Sequence, residues 1–140
     1  MAEYTTPGIQ TVPAGQNVPF VSMATSANRC ITHRSGAGLV TLRGITNQRK
    51  ALFHVTYGGN IAIPEGGTVE AITAALTING EALDASTATV TPAAVENYFN
   101  IYVSAMVEVP CGCCLTVGVK NTSAQPVNFA NSNLEIVRTA

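Results

Sequence analysis

The chain has 140 residues with seven Lys and Arg against eight Asp and Glu, and only 11% of it is charged, less than half the roughly 25% usual for a soluble domain. A net charge of −1 leaves no basic stripe to neutralise phosphates, so nucleic acid is not an expected partner. No run approaches the ~20 apolar residues needed to cross a bilayer, and Met1-Ala2-Glu3-Tyr4 opens neither a basic nor an apolar leader, so synthesis in the cytoplasm without a signal peptide and no membrane partner are expected.

Period-2 alternation predicts strands near residues 9–12, 17–22, 29–33, 38–43, 50–57, 60–63, 68–78, 87–91, 98–109, 114–120, 127–130 and 133–139. The polar, Thr-rich segment around Pro7 reads as an extended arm over residues 1–15, able to reach a neighbouring protein, or as a frayed terminus. Residues 16–140 read as one β domain. Turn chemistry separates the strands: residues 13–17, 35–38, 57–60 and 64–67 carry Gly, Pro and Asn, and Asn79-Gly80 between apolar runs signals a type I′ hairpin. The one helical invitation is 91–96, where Thr91 can cap and Pro92 can occupy the first position, enough for a single turn. Many short strands in an uninterrupted chain mean an all-β antiparallel sandwich or barrel.

The strand at 98–109 is the most informative. One face, Phe99, Ile101, Val103, Ala105, Val107 and Val109, is a core face. The other, Tyr98, Asn100, Tyr102, Ser104, Met106 and Glu108, carries charge only at its last position. Strand 50–57 repeats the pattern, with Leu52, His54 and Thr56 on the second face. Two readings stand: both strands are central and touch loops, or this second face packs against copies of the chain, as Tyr and Met suit an interface.

No catalytic constellation assembles. His33 and His54 are isolated on strands, the acids are scattered, and no phosphate loop, nucleophile elbow or metal-protease motif occurs. No enzyme activity, cofactor or metal is therefore expected. The cysteines are Cys30 and the cluster Cys111, Cys113 and Cys114. Their spacing is too tight for a zinc ribbon, and a site pairing Cys30 with His33 is the weaker reading. A bridge from Cys30 to one of the later three would close a long loop and contribute on the order of 4 kcal/mol, leaving two thiols that could pair between subunits. The alternative is four reduced, semi-buried cysteines.

Four segments carry a resemblance: ALFHVTYGGNIAIPEGGTVE at 51–70, AITAALTINGEAL at 71–83, YFNIYVSAMVEVP at 98–110 and NLEIV at 133–137. Together they resemble the trimeric jelly rolls of the C1q/TNF-like superfamily, and among them small phage structural proteins and the tips of bacterial spore-surface proteins. The absence of a collagen-like Gly-X-Y stalk favours the phage proteins, and the cysteine cluster is outside the superfamily pattern. The resemblance implies an antiparallel jelly-roll (Greek-key) β-sandwich of about ten strands over residues 16–140. It also implies a homotrimer whose interface would use Tyr98, Tyr102 and Met106, with Phe20, Leu52 and His54. The function so implied is capsid decoration: a structural, cement-like protein on a bacteriophage virion surface, with a major capsid protein as its partner. The alternative is a host- or glycan-binding tip of a phage fibre or spore surface, for which Tyr57 is the main loop aromatic.

Overall fold

A computed structural model describes residues 2–25, 30–33, 36–45, 49–111 and 114–139. Among them eleven strands run in chain order: β1 (Ala2–Val12), β2 (Ser22–Thr25), β3 (Ile31–His33), β4 (Val40–Arg43), β5 (Lys50–Ala62), β6 (Ile72–Ile78), β7 (Glu81–Ala82), β8 (Ala88–Val90), β9 (Phe99–Pro110), β10 (Cys114–Asn121) and β11 (Val127–Arg138). They form two antiparallel sheets, one ordered β2-β1-β11-β5-β9, the other β3-β4-β10-β6-β7 with β8 also on β6. Between the sheets lies a single core that includes Tyr4, Phe20, Phe53, Tyr57, Leu76, Phe129 and Leu134. This is the expected jelly-roll β-sandwich.

The Asn79-Gly80 turn forms as its chemistry dictates. Both residues take positive φ, 52° and 85°, and the hairpin closes with Ile78 opposite Glu81, the twist-matched two-residue connection. The core face of β9 also forms, with Ile101, Val103, Val107 and Val109 buried. Phe99, expected among them, opens the strand at a corner of the sandwich and is 39% exposed.

Four expectations are corrected. The segment read as an arm is β1, which pairs with β11 over nine residues and buries Ala2, Tyr4 and Val12. Its alternation was hidden by a bulge between Thr6 and Ile9, where Gly8 takes φ 84° and the side-chain parity slips. The turn expected at 57–60 is continuous strand. Neither Gly58 nor Gly59 has positive φ. A Cβ on Gly59 would lie 2.7 Å from the Tyr57 hydroxyl, so this glycine leaves room for a buried phenol rather than bending the chain. The expected helix at 91–96 is absent: Glu96 takes φ 57° and its N–H donates to Ile63 O at 2.7 Å, so the segment is a connection tied to the end of β5. The two strands expected at 127–130 and 133–139 are one, β11, carried through a bulge at Asn131 with φ 54°.

Buried polar groups fasten the closure. Asn121, fully buried, donates from Nδ2 to Val12 O at 2.9 Å and to Gln125 O at 3.0 Å, joining the end of β1 to β10 across the sandwich. Tyr57 Oη and Ser132 Oγ share a buried hydrogen bond of 2.8 Å, and burial pushes the Tyr57 phenol up to about 12 because the anion would lose its solvation.

Candidate assembly surface

The sheet β2-β1-β11-β5-β9 has one long edge strand. Among the described residues β9 pairs with β5 alone, over twelve positions from Lys50 opposite Pro110 to Ile61 opposite Phe99. An edge of twelve residues is a template for further pairing unless something covers or blunts it; the opposite edge, β2, has only four. The expectation that both strands 98–109 and 50–57 are central is thus half right, since β5 lies between β11 and β9 while β9 closes the sheet.

Register places the outward residues in rows. Met106 lies opposite His54, which lies opposite Val137. Tyr102 lies opposite Gly58, which lies opposite Asn133. Tyr102 is 66% exposed and Met106 55% exposed. Leu52 and His54 are half-buried. Because Gly58 offers no side chain, the ring of Tyr102 stands beside a shallow gap on the face. Beside the outer edge of β9 runs a groove of about 430 Å³ lined by Leu83, Ala85, Ser86, Ser104, Ala105 and Met106.

Charge on this face lies at one end of the β9–β5 pair and along the β1–β11 pair. At one end Lys50 Nζ and Glu108 Oε1 pair at 2.7 Å. At the β1 side Glu3 lies directly opposite Glu135, a like-charge pair that disfavours close packing there; Asn133 Nδ2 donates to Glu3 Oε2 at 2.7 Å and compensates in part. Beyond the Lys50–Glu108 end, the β9–β5 half presents Leu52, His54, Tyr102, Ser104 and Met106, with no Lys, Arg, Asp or Glu among them.

The other predicted residues fall elsewhere. Phe20 is fully buried and meets the Tyr57 ring edge-on at 6.4 Å; it belongs to the core of its own chain and cannot face a partner. Tyr98 is half-buried and its hydroxyl accepts from Asn128 Nδ2 at 3.4 Å, which ties the start of β9 to β11. Tyr57, considered as a loop aromatic, is a core residue of β5. His33 and His54 lie in different sheets. His33 Nε2 is 2.9 Å from Ala37 O, and its ring lies 4.5 Å from Tyr4. No group of three or more His, Cys, Asp and Glu is gathered among the described residues, and no helix there is long and apolar enough to cross a membrane.

Cys113 lies outside the described residues. Cys30 is buried, with its Sγ accepting from Arg138 Nη1 at 3.1 Å. Its carbonyl accepts from Arg43 N at 2.7 Å, while Arg43 lies opposite Cys114 on its other side. Cys30 and Cys114 therefore flank β4 at about two strand spacings, ~9.5 Å. A disulfide needs Cα atoms within ~7 Å, so a Cys30–Cys114 bridge does not fit this arrangement. Cys111 and Cys114 are both exposed.

The exposed face of β9 is legible in alternation and charge alone. That β9 is an edge, and that the Gly58 gap lies beside Tyr102, needed the register. No protein-family model matches the chain, and none of the curated proteins matches it in sequence. Three solved structures are similar throughout. An insect TNF, "Eiger TNF from S. frugiperda", matches with a TM-score of 0.70 at 14% identity, over 99% of this chain and 91% of that one. The globular domain of zebrafish complement 1qA matches with a TM-score of 0.59 at 8% identity, over 97% and 94%. Rabbit GITRL matches with a TM-score of 0.50 at 12% identity, over 100% and 95%. The sheet order, the closure and these likenesses agree: the chain folds as a TNF- and C1q-like jelly roll.

Proposed function

We propose that this chain is a structural assembly protein without catalytic activity, working as a homotrimer packed through the β9–β5 half of its five-stranded sheet. The observation that carries the reading is the long edge strand β9, bare on its outer face, with Tyr102 and Met106 exposed on a patch that has no formal charge. Large aromatic and Met side chains in a weakly charged patch are what the centre of a protein interface uses, and an edge strand of this length calls for cover. Likeness to the TNF and complement 1qA folds is compatible with three-fold assembly. Of the residues expected at the interface, Tyr102, Met106, Leu52 and His54 remain in it, Tyr98 lies at its margin, and Phe20 is withdrawn to the core.

The finer reading is a decoration protein on a bacteriophage virion surface, bound to a major capsid protein. Its support is the sequence resemblance of residues 51–83, 98–110 and 133–137; the similar folds are animal proteins and add nothing to it. The tip-module alternative loses its main feature, because Tyr57 is buried and offers no sugar platform. Two experiments test the proposal. Sedimentation equilibrium at micromolar concentration is expected to give three subunits, and a single-chain mass rules out the interface. Co-purification of the chain with intact phage particles, at stoichiometry tied to the capsid lattice, is expected for decoration; recovery with detached fibres refutes it.

A further inference from the structure

The one Asn-Gly pair of the sequence, the turn between β6 and β7, carries chemistry that assembly does not use. Asn79 and Gly80 are both exposed, with φ of 52° and 85°, and Ile78 lies opposite Glu81 in the closed hairpin. Asn79 also holds β10. The β6–β10 ladder ends with Ile78 opposite Val117, and Asn79 adds a rung beyond it. Its N–H donates to Thr116 O at 2.8 Å. Its Oδ1 accepts from Thr116 N at 3.1 Å and, more weakly, from Thr116 Oγ1 at 3.4 Å. The side-chain oxygen thus stands in for a backbone carbonyl that the turn has carried away. Around Gly80 there is open space: a Cβ built there would meet nothing within 4 Å.

We propose that Asn79 is a site of spontaneous cyclisation, reached by a flip of the single peptide plane between Asn79 and Gly80 while the hairpin stays paired. The Gly80 nitrogen attacks Asn79 Cγ and a new Cγ–N bond forms. The Cγ–Nδ2 bond breaks, and Nδ2 leaves as ammonia with the proton from Gly80 N. Water then adds to one of the two carbonyls of the succinimide and opens it to aspartate or isoaspartate; nothing is oxidised or reduced. The ring needs Cβ and the Gly80 nitrogen on the same side of the Asn79 Cα–C bond, at a ψ of about −120°, which is the value at the first central residue of a type II′ turn. A type I′ turn holds that ψ at about +30°, with the two groups nearly opposite. Passing from one turn to the other keeps φ positive at Asn79 and reverses it at Gly80, which glycine alone tolerates freely. Both turns match the twist of a hairpin, so β6 and β7 need not part. What opposes the flip is Thr116, whose N–H must release Asn79 Oδ1. The carboxylate produced lies two positions from Glu81 on the six-stranded sheet, away from the β9–β5 face, so assembly is left intact.

The experiment ages the intact chain in neutral buffer and follows loss of ammonia at each Asn by peptide mass mapping. The same chain unfolded in guanidinium chloride is the reference for intrinsic reactivity. Release of the Oδ1 hydrogen bonds predicts that the folded chain reacts at Asn79 about tenfold more slowly than the unfolded one, whereas a route through global unfolding predicts a slowing of ~1,000-fold or more. Gly59→Ala, a change in the core beside the other sheet, should leave the folded rate unchanged, and so should guanidinium chloride added below the unfolding transition. Thr116→Val, which removes the weaker donor and keeps the N–H, should raise the rate about twofold. Protection of ~1,000-fold or more, acceleration by Gly59→Ala or by mild denaturant in step with lost stability, or reaction of another Asn ahead of Asn79 each overturn the proposal.

Discussion

Tyr102→Ser separates assembly from folding. The ring is 66% exposed on the single chain, so its removal should change the stability of one subunit by no more than about 0.5 kcal/mol, as for other surface substitutions. A Tyr side chain offers on the order of 200 Å², which leaves ~130 Å² to be covered by a partner. At ~25 cal/mol per Å² that area is worth about 3 kcal/mol, the size of an interface hot spot, and corresponds to roughly a hundredfold weaker contact. Sedimentation velocity across a concentration series reads the effect: the wild type should hold its mass well below the concentration at which the variant falls apart. Far-ultraviolet circular dichroism of both should superimpose. If the variant keeps the wild-type mass through the dilution series, Tyr102 is not at an interface and the patch has lost its assembly role.

Other consequences concern the core. Gly59→Ala should cost about 2 to 3 kcal/mol, because its Cβ would stand 2.7 Å from Tyr57 Oη and force the phenol off Ser132; a thermal midpoint unchanged within error contradicts this. The raised Tyr57 pKa, about 12 against an ordinary tyrosine's 10.0, makes folding pH-dependent in the alkaline range. Below pH 10 the phenol is neutral in both states and the stabilisation is complete; between pH 10 and 12 the unfolded chain releases its proton first, so stability falls, by about 2 to 3 kcal/mol in all. Chemical denaturation of Tyr57→Phe across that range should show a shallower decline, and equal slopes refute the account. Tyr4 has a buried hydroxyl that meets no hydrogen-bond partner among the described residues, and burial raises its pKa as well. Tyr4→Phe should therefore stabilise the chain by about 1 kcal/mol, whereas a loss of that size shows that the hydroxyl is satisfied.

What the sequence determined is local. Alternation over i and i+2 identified the inward residues Ile101, Val103, Val107 and Val109, and the outward Tyr102 and Met106, since successive side chains of a strand point to opposite faces whatever the neighbours are. Asn79-Gly80 declared its turn because few residue pairs tolerate two positive φ values in succession. What only the tertiary structure decided is pairing between distant segments. Residues 2–12 lack a clean alternation, yet they form a strand because β11 accepts them through a bulge, a partner more than a hundred residues away. The Gly58-Gly59 pair reads as a turn until Tyr57 fills the space beside it, and Phe20 reads like Tyr102 until the opposite sheet closes over it. Most consequential, nothing along residues 98–110 says that β9 is the last strand of its sheet. A strand's periodicity records that one side is covered, but edge or centre depends on which segment hydrogen-bonds next to it, and that is settled only when both sheets close on a common core.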